Sequence, residues 1–505
     1  MKIASAIRMT VLLLFASLNT PVHAADYTVT GIESLSGPSG LTWPYAINNL
    51  GQIVGYSSTT SGNHAFVWSA SSGIRDLGYL TGGAADSNAR DINDKGQIVV
   101  YSKTSTGYRA VLWDTSGMRD LGDIAGGVDH SEAYGINERG HVVGLTNSAS
   151  GQRPFLWTPE TGLRDLGIPA GAGSATAQGI NESGWIVGTV FFPDHISAFR
   201  WTPDGTATDL GDLPTNAWTS YGYSINMQGL SVGRGNVVAG DRGVLWHTDG
   251  SMLDLGVQTG GINSYAYAIN RLGHIVGDTT DINGHHAAIW KDPRAVSQKL
   301  DDLIDPTLGW RLIQATDVND VGQIVGIGIS PTGNFGGFLL TPKPTLTAFW
   351  PGNSSDGSII FLFGSGFIPF QTQVTFNDVP TPAIQWLAGD LVLALLPPGV
   401  TSGTVRLTTP YGSVTAAVPF GTITSGLSIS GIWPAQGAVN SVVFVFGSGF
   451  TAGSQVYVNS VAAPAVQVMN SNLLLFLLPP TASSGAIKIV TPGGTVTSPG
   501  GFVVL

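Results

Sequence analysis

One phrase recurs through the first two-thirds of this chain and limits what it can become. Ile-Asn-x-x-Gly-x-Ile-Val-Gly occurs seven times with small variations, on Asn48, Asn93, Asn137, Asn181, Asn226, Asn270 and Asn319. The steps are 45, 44, 44, 45, 44 and 49 residues. A fixed period of this length is the mark of a repeat architecture. A second landmark keeps the same beat, since Trp68, Trp113, Trp157, Trp201, Trp246 and Trp290 each lie twenty residues after an Asn. Leu340 takes roughly that place in the seventh unit. Most units then carry Asp-Leu-Gly, beginning at Asp76, Asp120, Asp165, Asp209 and Asp254, with a looser version at Asp302-Leu303.

Each unit reads as four short strands. One runs into the Asn, the Asn-x-x-Gly step turns the chain tightly, Ile-Val-Gly forms the second, the third ends on Trp, and the fourth carries Asp-Leu-Gly. Four strands in about 44 residues is the signature of a propeller blade. The seventh unit stops after its third strand, at Leu340-Thr341, while Tyr27–Leu35 precedes the first unit as a strand without a hairpin partner. If that segment completes the last blade, the ring closes and no sheet edge is left open. The strand entering each Asn then lies innermost. Four residues before each Asn sit Pro44, Ala89, Ala133, Ala177, Gly222, Ala266 and Ala315, small enough for blades that converge on an axis.

These repeats resemble the HAF family of extracellular repeats, named for triplets such as His64-Ala65-Phe66, over about Tyr27 to Thr341. The triplet is degenerate elsewhere, as in Ser197-Ala198-Phe199 and His286-Ala287-Ala288. The resemblance implies an exported bacterial protein and no particular activity. Export also fits the first residues: Lys2 and Arg8 precede the apolar Val11–Leu18, and Val22-His23-Ala24 has the small-x-small form of a cleavage site. The expectation is a signal peptide over residues 1–24, a secreted or surface-associated product, and no membrane-spanning segment after its removal. No cysteine is present, which excludes a Cys-ligated zinc, a Cys nucleophile and a lipid anchor on Cys.

Composition shifts at Thr341-Pro342-Lys343-Pro344. From there on the charged side chains are Lys343, Asp356, Asp378, Asp390, Arg406 and Lys488. A segment of about 82 residues is duplicated: Trp350-Pro351 matches Trp433-Pro434, Gly364-Ser365-Gly366-Phe367 matches Gly447-Ser448-Gly449-Phe450, and Pro397-Pro398 matches Pro479-Pro480. Both copies resemble IPT/TIG domains, an immunoglobulin-like family, and the resemblance implies a small β-sandwich in each. The expected organisation is therefore all-β: a seven-bladed β-propeller over 25–341, then IPT/TIG domains over 344–422 and 427–505. Some members of that family bind DNA. Here the net charge is −11, and the basic residues after Pro342 are Lys343, Arg406 and Lys488, so nucleic acid is a poor partner.

No catalytic signature stands out. There is no His-Glu-x-x-His pair, Gly-x-Ser-x-Gly elbow, Walker loop or Asp-x-Asp-x-Asp-Gly calcium loop, so no metal or cofactor is expected. Asp91-Ile92-Asn93-Asp94 and Asp317-Val318-Asn319-Asp320 fall in the repeat turn and read as structural. Glu138 and Glu182 read as solvated turn positions. Residues that recur in every blade, the Asn, the Trp and the Asp of Asp-Leu-Gly, read as structural too, because a site needs one set of residues.

The informative positions vary between blades. Five before each Asn sit Trp43, Asn88, Glu132, Thr176, Tyr221, Tyr265 and Gln314. Three before sit Tyr45, Arg90, Tyr134, Gln178, Tyr223, Tyr267 and Thr316. Period two puts both sets on one face of the inner strand. Trp43, Tyr45, Arg90, Glu132, Tyr134, Tyr221, Tyr223, Tyr265 and Tyr267 are the candidate ligand-binding residues, since aromatic rings beside hydrogen-bonding groups suit sugar or peptide recognition. The same residues also fit packing between blades with their polar tips satisfied. The expected function is a monomeric, non-enzymatic binding or adhesion protein for an extracellular glycan or protein. The alternative is a secreted polysaccharide hydrolase or lyase with acidic groups gathered at the channel. The long connection Lys291–Asp301, with Asp292, Arg294, Lys299 and Asp301, reads as a solvated loop.

Overall fold

The structure, a computed structural model, describes residues 26–505 apart from 125, 215–218, 355–356, 369–370, 389–390, 410–411 and 423–425. The expected signal peptide lies outside the described residues. The chain is all-β. Two short 3-10 turns, Leu300–Leu303 and Pro306–Leu308, interrupt it, and among the described residues no helix is long and apolar enough to cross a membrane. Two compact units divide between Pro342 and Lys343.

The first unit holds seven four-stranded antiparallel sheets. The first sheet shows the pattern: Thr42–Ile47, Ile53–Ser58, Asn63–Ser69 and Gly73–Gly78, paired in chain order. Each hairpin between the first two strands turns at Asn-x-x-Gly. Gly51, Gly96, Gly140, Gly184, Gly229, Gly273 and Gly322 all have φ between 74° and 85°, a conformation that costs glycine alone almost nothing. The seventh sheet differs as the sequence implies. Tyr27–Ile32 pairs antiparallel with Phe335–Pro342, from Tyr27 opposite Pro342 to Ile32 opposite Gly337. The first strand of each sheet neighbours the first strands of the sheets on either side, and that of the seventh neighbours that of the first.

Two side-chain relays join the sheets. Asn48 Nδ2 donates to the Asn93 carbonyl at 3.0 Å, and the same bond passes through Asn137, Asn181, Asn226, Asn270 and Asn319. Asn319 Nδ2 donates back to the Asn48 carbonyl at 3.0 Å, so the relay is a closed cycle. The seven Asn are buried. In the first six, Oδ1 accepts two backbone N–H groups of its own turn, as Asn181 does from Ser183 and Trp185, and Asn319 Oδ1 accepts from Gln323. The second relay runs through serines. Ser87 Oγ accepts from the Ala65 N–H of the preceding sheet and donates to the Gly78 carbonyl, and Ser131 and Ser264 repeat the arrangement.

Apolar packing fills the space between. Trp68 packs with Ile47 and Phe66 of its own sheet and with Ile32, Val325 and Leu339 of the seventh. Trp157, Trp201, Trp246 and Trp290 are buried in the same way. Each buried ring removes a large apolar surface from water, about 4–6 kcal/mol before the cost of ordering. The recurring Asp does structural work. The carboxylates of Asp76, Asp120, Asp165, Asp209 and Asp254 accept from the glycine N–H two residues on, at 2.7–2.8 Å, a local turn bond. The segment read as a solvated loop is more ordered than expected. Gln298–Lys299 forms the fourth strand of the sixth sheet, Lys299 Nζ meets Asp281 at 2.8 Å, and Asp301 accepts the Leu312 N–H. Leu300 within it and Leu303 just beyond it, both buried, pull it onto the core.

In the second unit the two copies repeat one topology. In the first, Thr345–Trp350, Ile359–Ser365, Leu391–Leu395 and Ile384–Ala388 form one sheet. In the second, Ser428–Trp433, Val442–Ser448, Leu473–Leu477 and Val466–Asn470 pair in the same order. Each copy closes a second sheet over its own apolar core, with Phe367, Phe376 and Phe420 in one and Phe450, Phe476 and Phe502 in the other. The copies touch where Trp350 meets Phe446 edge-on at 4.3 Å between ring centroids.

Candidate functional site

The varying residues lie on the ring of first strands. In every sheet the pairing of first and second strand slips at the residue three before the Asn. Tyr45, Arg90, Tyr134, Gln178, Tyr223, Tyr267 and Thr316 are thus bulged residues, and simple alternation does not describe them. A bulge re-aims a side chain. The small residue just before each bulge is buried against the neighbouring sheet, while the bulged residue is half-buried. The rings five and three before the Asn remain neighbours all the same. Tyr221 and Tyr223 lie 6.3 Å apart, Tyr265 and Tyr267 6.2 Å at 3°.

The nine candidates gather into two groups. In sheets one to three, the Arg90 guanidinium sits 3.9 Å from the Tyr45 ring and 5.5 Å from that of Tyr134. Tyr134 donates to Glu132 Oε2 at 2.7 Å, and His130 Nε2 reaches Glu132 Oε1 at 3.1 Å. Trp43 stacks on Tyr56 at 6.3 Å. In sheets five and six, Tyr223 approaches Tyr267 at 5.8 Å. Arg234 lies 4.3 Å from the Tyr221 ring and pairs with Asp241 at 3.2 Å. Sheet four, with Thr176 and Gln178, places no aromatic ring between the groups.

Burial raises the tyrosine hydroxyls. Tyr223 and Tyr265 are pushed up to about 12, and Tyr134 and Tyr267 are raised further, with Glu132 and Asp278 respectively adding to the burial effect. All four stay protonated near neutrality; Tyr134, Tyr265 and Tyr267 face carboxylates as donors, whereas the Tyr223 oxygen faces the Arg234 guanidinium as an acceptor.

Reading only the first strand misses half of this site. Eight residues after each Asn, on the second strand, sit Tyr56, Tyr101, Leu145, Thr189, Arg234, Asp278 and Ile327, directly opposite the residue five before the Asn. These change in size and charge from repeat to repeat while the Ile-Val-Gly beside them stays small and mostly apolar, which is the signal that would have found them. Asp278 is the most unusual. It is fully buried, and its Oδ2 lies 2.5 Å from Nδ1 of His285, whose side chain is 56 % exposed. Burial raises the Asp278 carboxyl, and His285 opposes that rise.

The Asn end of the ring is different. A cavity of about 200 Å³ there is lined by Asn49, Asp94, Glu138, Glu182 and Asp320 among others, and by none of the nine candidates. Glu138 and Glu182 are not solvated turn residues. Glu138 accepts the Asp94 N–H and Glu182 the Glu138 N–H, each at 2.7 Å across sheets. Asp320 accepts from Arg271 in the same way. Asp91 and Asp317, just inside, are raised to about 7 and about 6, chiefly by burial. Each accepts two backbone N–H groups, one of its own strand and one of the next sheet. These carboxylates are occupied in holding sheets together. No group of three or more metal-ligating side chains occurs among the described residues.

Comparison with known proteins identifies one segment. Residues 427–504 match the IPT/TIG domain family. No curated protein matches the chain. Among solved structures, a streptogramin B lyase aligns over 63% of this chain and 98% of its own, with 14% identity and a TM-score of 0.41. Virginiamycin B lyase from Staphylococcus aureus aligns over 62% and 99%, with 14% identity and a TM-score of 0.42. The surface glycan-binding protein SGBP-B from Bacteroides ovatus, in complex with a mixed-linkage heptasaccharide, aligns over 36% and 53%, with 15% identity and a TM-score of 0.23. Likeness at these scores does not extend to function.

Proposed function

We propose that this chain is an exported binding protein in which a seven-bladed β-propeller recognises a glycan and two IPT/TIG-type sandwiches act as spacer or adhesive modules. The observation that carries this reading is the pair of aromatic groups on the first-strand ring. Half-buried rings held beside Arg90, Glu132, Arg234 and Asp241 offer flat apolar faces with donors and acceptors at their rims. Sugar rings need both: their C–H faces stack on aromatics and their hydroxyls need directed hydrogen bonds. Packing between blades does not require this arrangement, because that work is already done by the buried tryptophans and by the small residue before each bulge.

The domain boundaries that follow are 25–341, 344–422 and 427–505, the last overlapping the family match at 427–504. The first sandwich joins the same family by its repeated topology. The test is a glycan array probed with the full chain and with Tyr221→Ala and Tyr265→Ala. Binding that falls at least tenfold in both variants supports the reading, and unchanged binding removes the site from this location.

A second reading, a polysaccharide hydrolase or lyase, draws on Asp278 and His285. Nδ1 of His285 is committed to the carboxylate, so Nε2 is the nitrogen left to meet a substrate. The raised carboxylates at the Asn end do not add to it, since backbone N–H groups engage them. Release of new reducing ends or unsaturated products from a bound polysaccharide, abolished by His285→Ala, would establish it.

A further inference from the structure

The group of residues around Asp278 has one unmet requirement. Asp278 Oδ1 is buried and makes no hydrogen bond of ordinary distance and angle, although Tyr267 and Gln314 flank the carboxylate. A buried acceptor left without a donor is costly, more so when it carries charge. The neighbouring charges do not cover it. Arg234 is paired with Asp241 at 3.2 Å, which leaves Asp278 with His285 as its facing cation, and only when that ring is protonated. Tyr265 stands directly opposite Asp278 in the sheet, Tyr267 adjoins the carboxylate, the two rings stack at 3°, and Tyr223 lies 5.8 Å beyond Tyr267. Aromatic faces beside an unbalanced carboxylate attract a cation that also donates hydrogen bonds.

We infer that this corner of the ring selects a glycan bearing a free amine, a glucosamine-type residue whose ammonium reaches Asp278 Oδ1 among Tyr223, Tyr265 and Tyr267. The inference rests on the glycan reading above and narrows it to a substrate class. The ammonium enters by turning aside His285, the exposed cover of the buried carboxylate. An N-acetylated sugar carries no charge at that nitrogen and a single N–H donor, so it meets the site less well.

The experiment titrates the full chain calorimetrically with glucosamine hexamer and with N-acetylglucosamine hexamer. The expected result is a preference of about tenfold or more for the amine, lost in Asp278→Asn and retained in His285→Ala. Should Asp278→Asn fail to fold, the wild-type ratio and Tyr267→Ala decide, the latter again expected to lose the preference. Equal binding of the two hexamers by the wild type, binding of neither, or a preference that survives Asp278→Asn or Tyr267→Ala overturns the inference. If the glucosamine hexamer fails to bind while the array shows other glycans bound through Tyr221 and Tyr265, the broader reading stands alone. If no glycan on the array binds, both fall.

Discussion

Replacing a single asparagine of the closed relay tests how the seven sheets are held to one another. Asn181 is 5% exposed. Its Nδ2 donates to the Asn226 carbonyl at 3.0 Å, and its Oδ1 accepts from Ser183 N–H and Trp185 N–H, both at 3.0 Å. Asn181→Ala removes all three bonds. The Asn226 carbonyl keeps a bond from the Gly229 N–H and is not orphaned. The two turn N–H groups lose their only side-chain acceptor, and an unsatisfied buried donor costs about 1–3 kcal/mol. Water reaches the turn to some extent, so the expected loss is about 2–4 kcal/mol in all. Asn181→Asp keeps the acceptors but loses the donor and buries a charge, and should be no better than alanine. Asn63, exposed at a strand start, provides the control: Asn63→Ala should stay within about 0.5 kcal/mol. The assay is urea unfolding of the full chain followed by tryptophan fluorescence, because tryptophans pack between the sheets. A loss at Asn181 no larger than at Asn63 would show that the relay is incidental and that apolar packing alone joins the sheets.

Four further outcomes follow from the geometry. Deleting Tyr27–Ile32 removes a whole strand from the seventh sheet and exposes the edge of Phe335–Pro342, so size-exclusion chromatography should show aggregation or expansion where the intact chain gives one compact peak. Asp91 and Asp317 keep their protons in the folded state up to about pH 7 and about pH 6, while the unfolded chain releases them near 3.8; their contribution is complete below that value and fades as pH rises towards 7, by at most about 1.4 kcal/mol per pH unit each. Urea midpoints across pH 4–7 should show this decline, and Asp91→Ala, which copies the residue of the first and sixth sheets at that position, should flatten it. Arg90→Ala removes a cation from the faces of Tyr45 and Tyr134 and should cost about 1–2 kcal/mol of stability in a denaturant melt, with Arg90→Lys recovering only a fraction. In the second unit, a methyl group on Gly431 would collide with the Trp350 ring, so Gly431→Ala should loosen the contact between the two sandwiches and lower the midpoint of a thermal melt followed by near-UV circular dichroism.

Much of the fold was legible because its determinants are local and repeated. The turn glycines, the spacing of the tryptophans and the unmatched first and last strands each announce themselves along the chain. The site was legible only on one strand. Tyr45, Arg90, Tyr134, Tyr223 and Tyr267 stood out because they break the repeat, yet their bulged pairing did not show, since a bulge is a property of two strands. Arg234 and Asp278 broke the repeat equally, but they follow the turn, and only cross-strand pairing sets them opposite Tyr221 and Tyr265. Glu138 and Glu182 look like surface residues in sequence because the N–H groups they accept come from sheets about 44 residues away.

The pairing of Tyr27 with Pro342 has a mechanical consequence. Tension applied between these two residues pulls on adjacent ends of an antiparallel pair. Such a load opens a zipper: the rungs give way in succession from Tyr27–Pro342 towards Ile32–Gly337, each bearing the force alone. Tension applied instead between Ile32 and Pro342 would draw on all six rungs at once. The first unit is therefore weak along the direction set by its own chain ends and strong across it, so the point at which such a protein is tethered decides whether the ring yields gradually or holds.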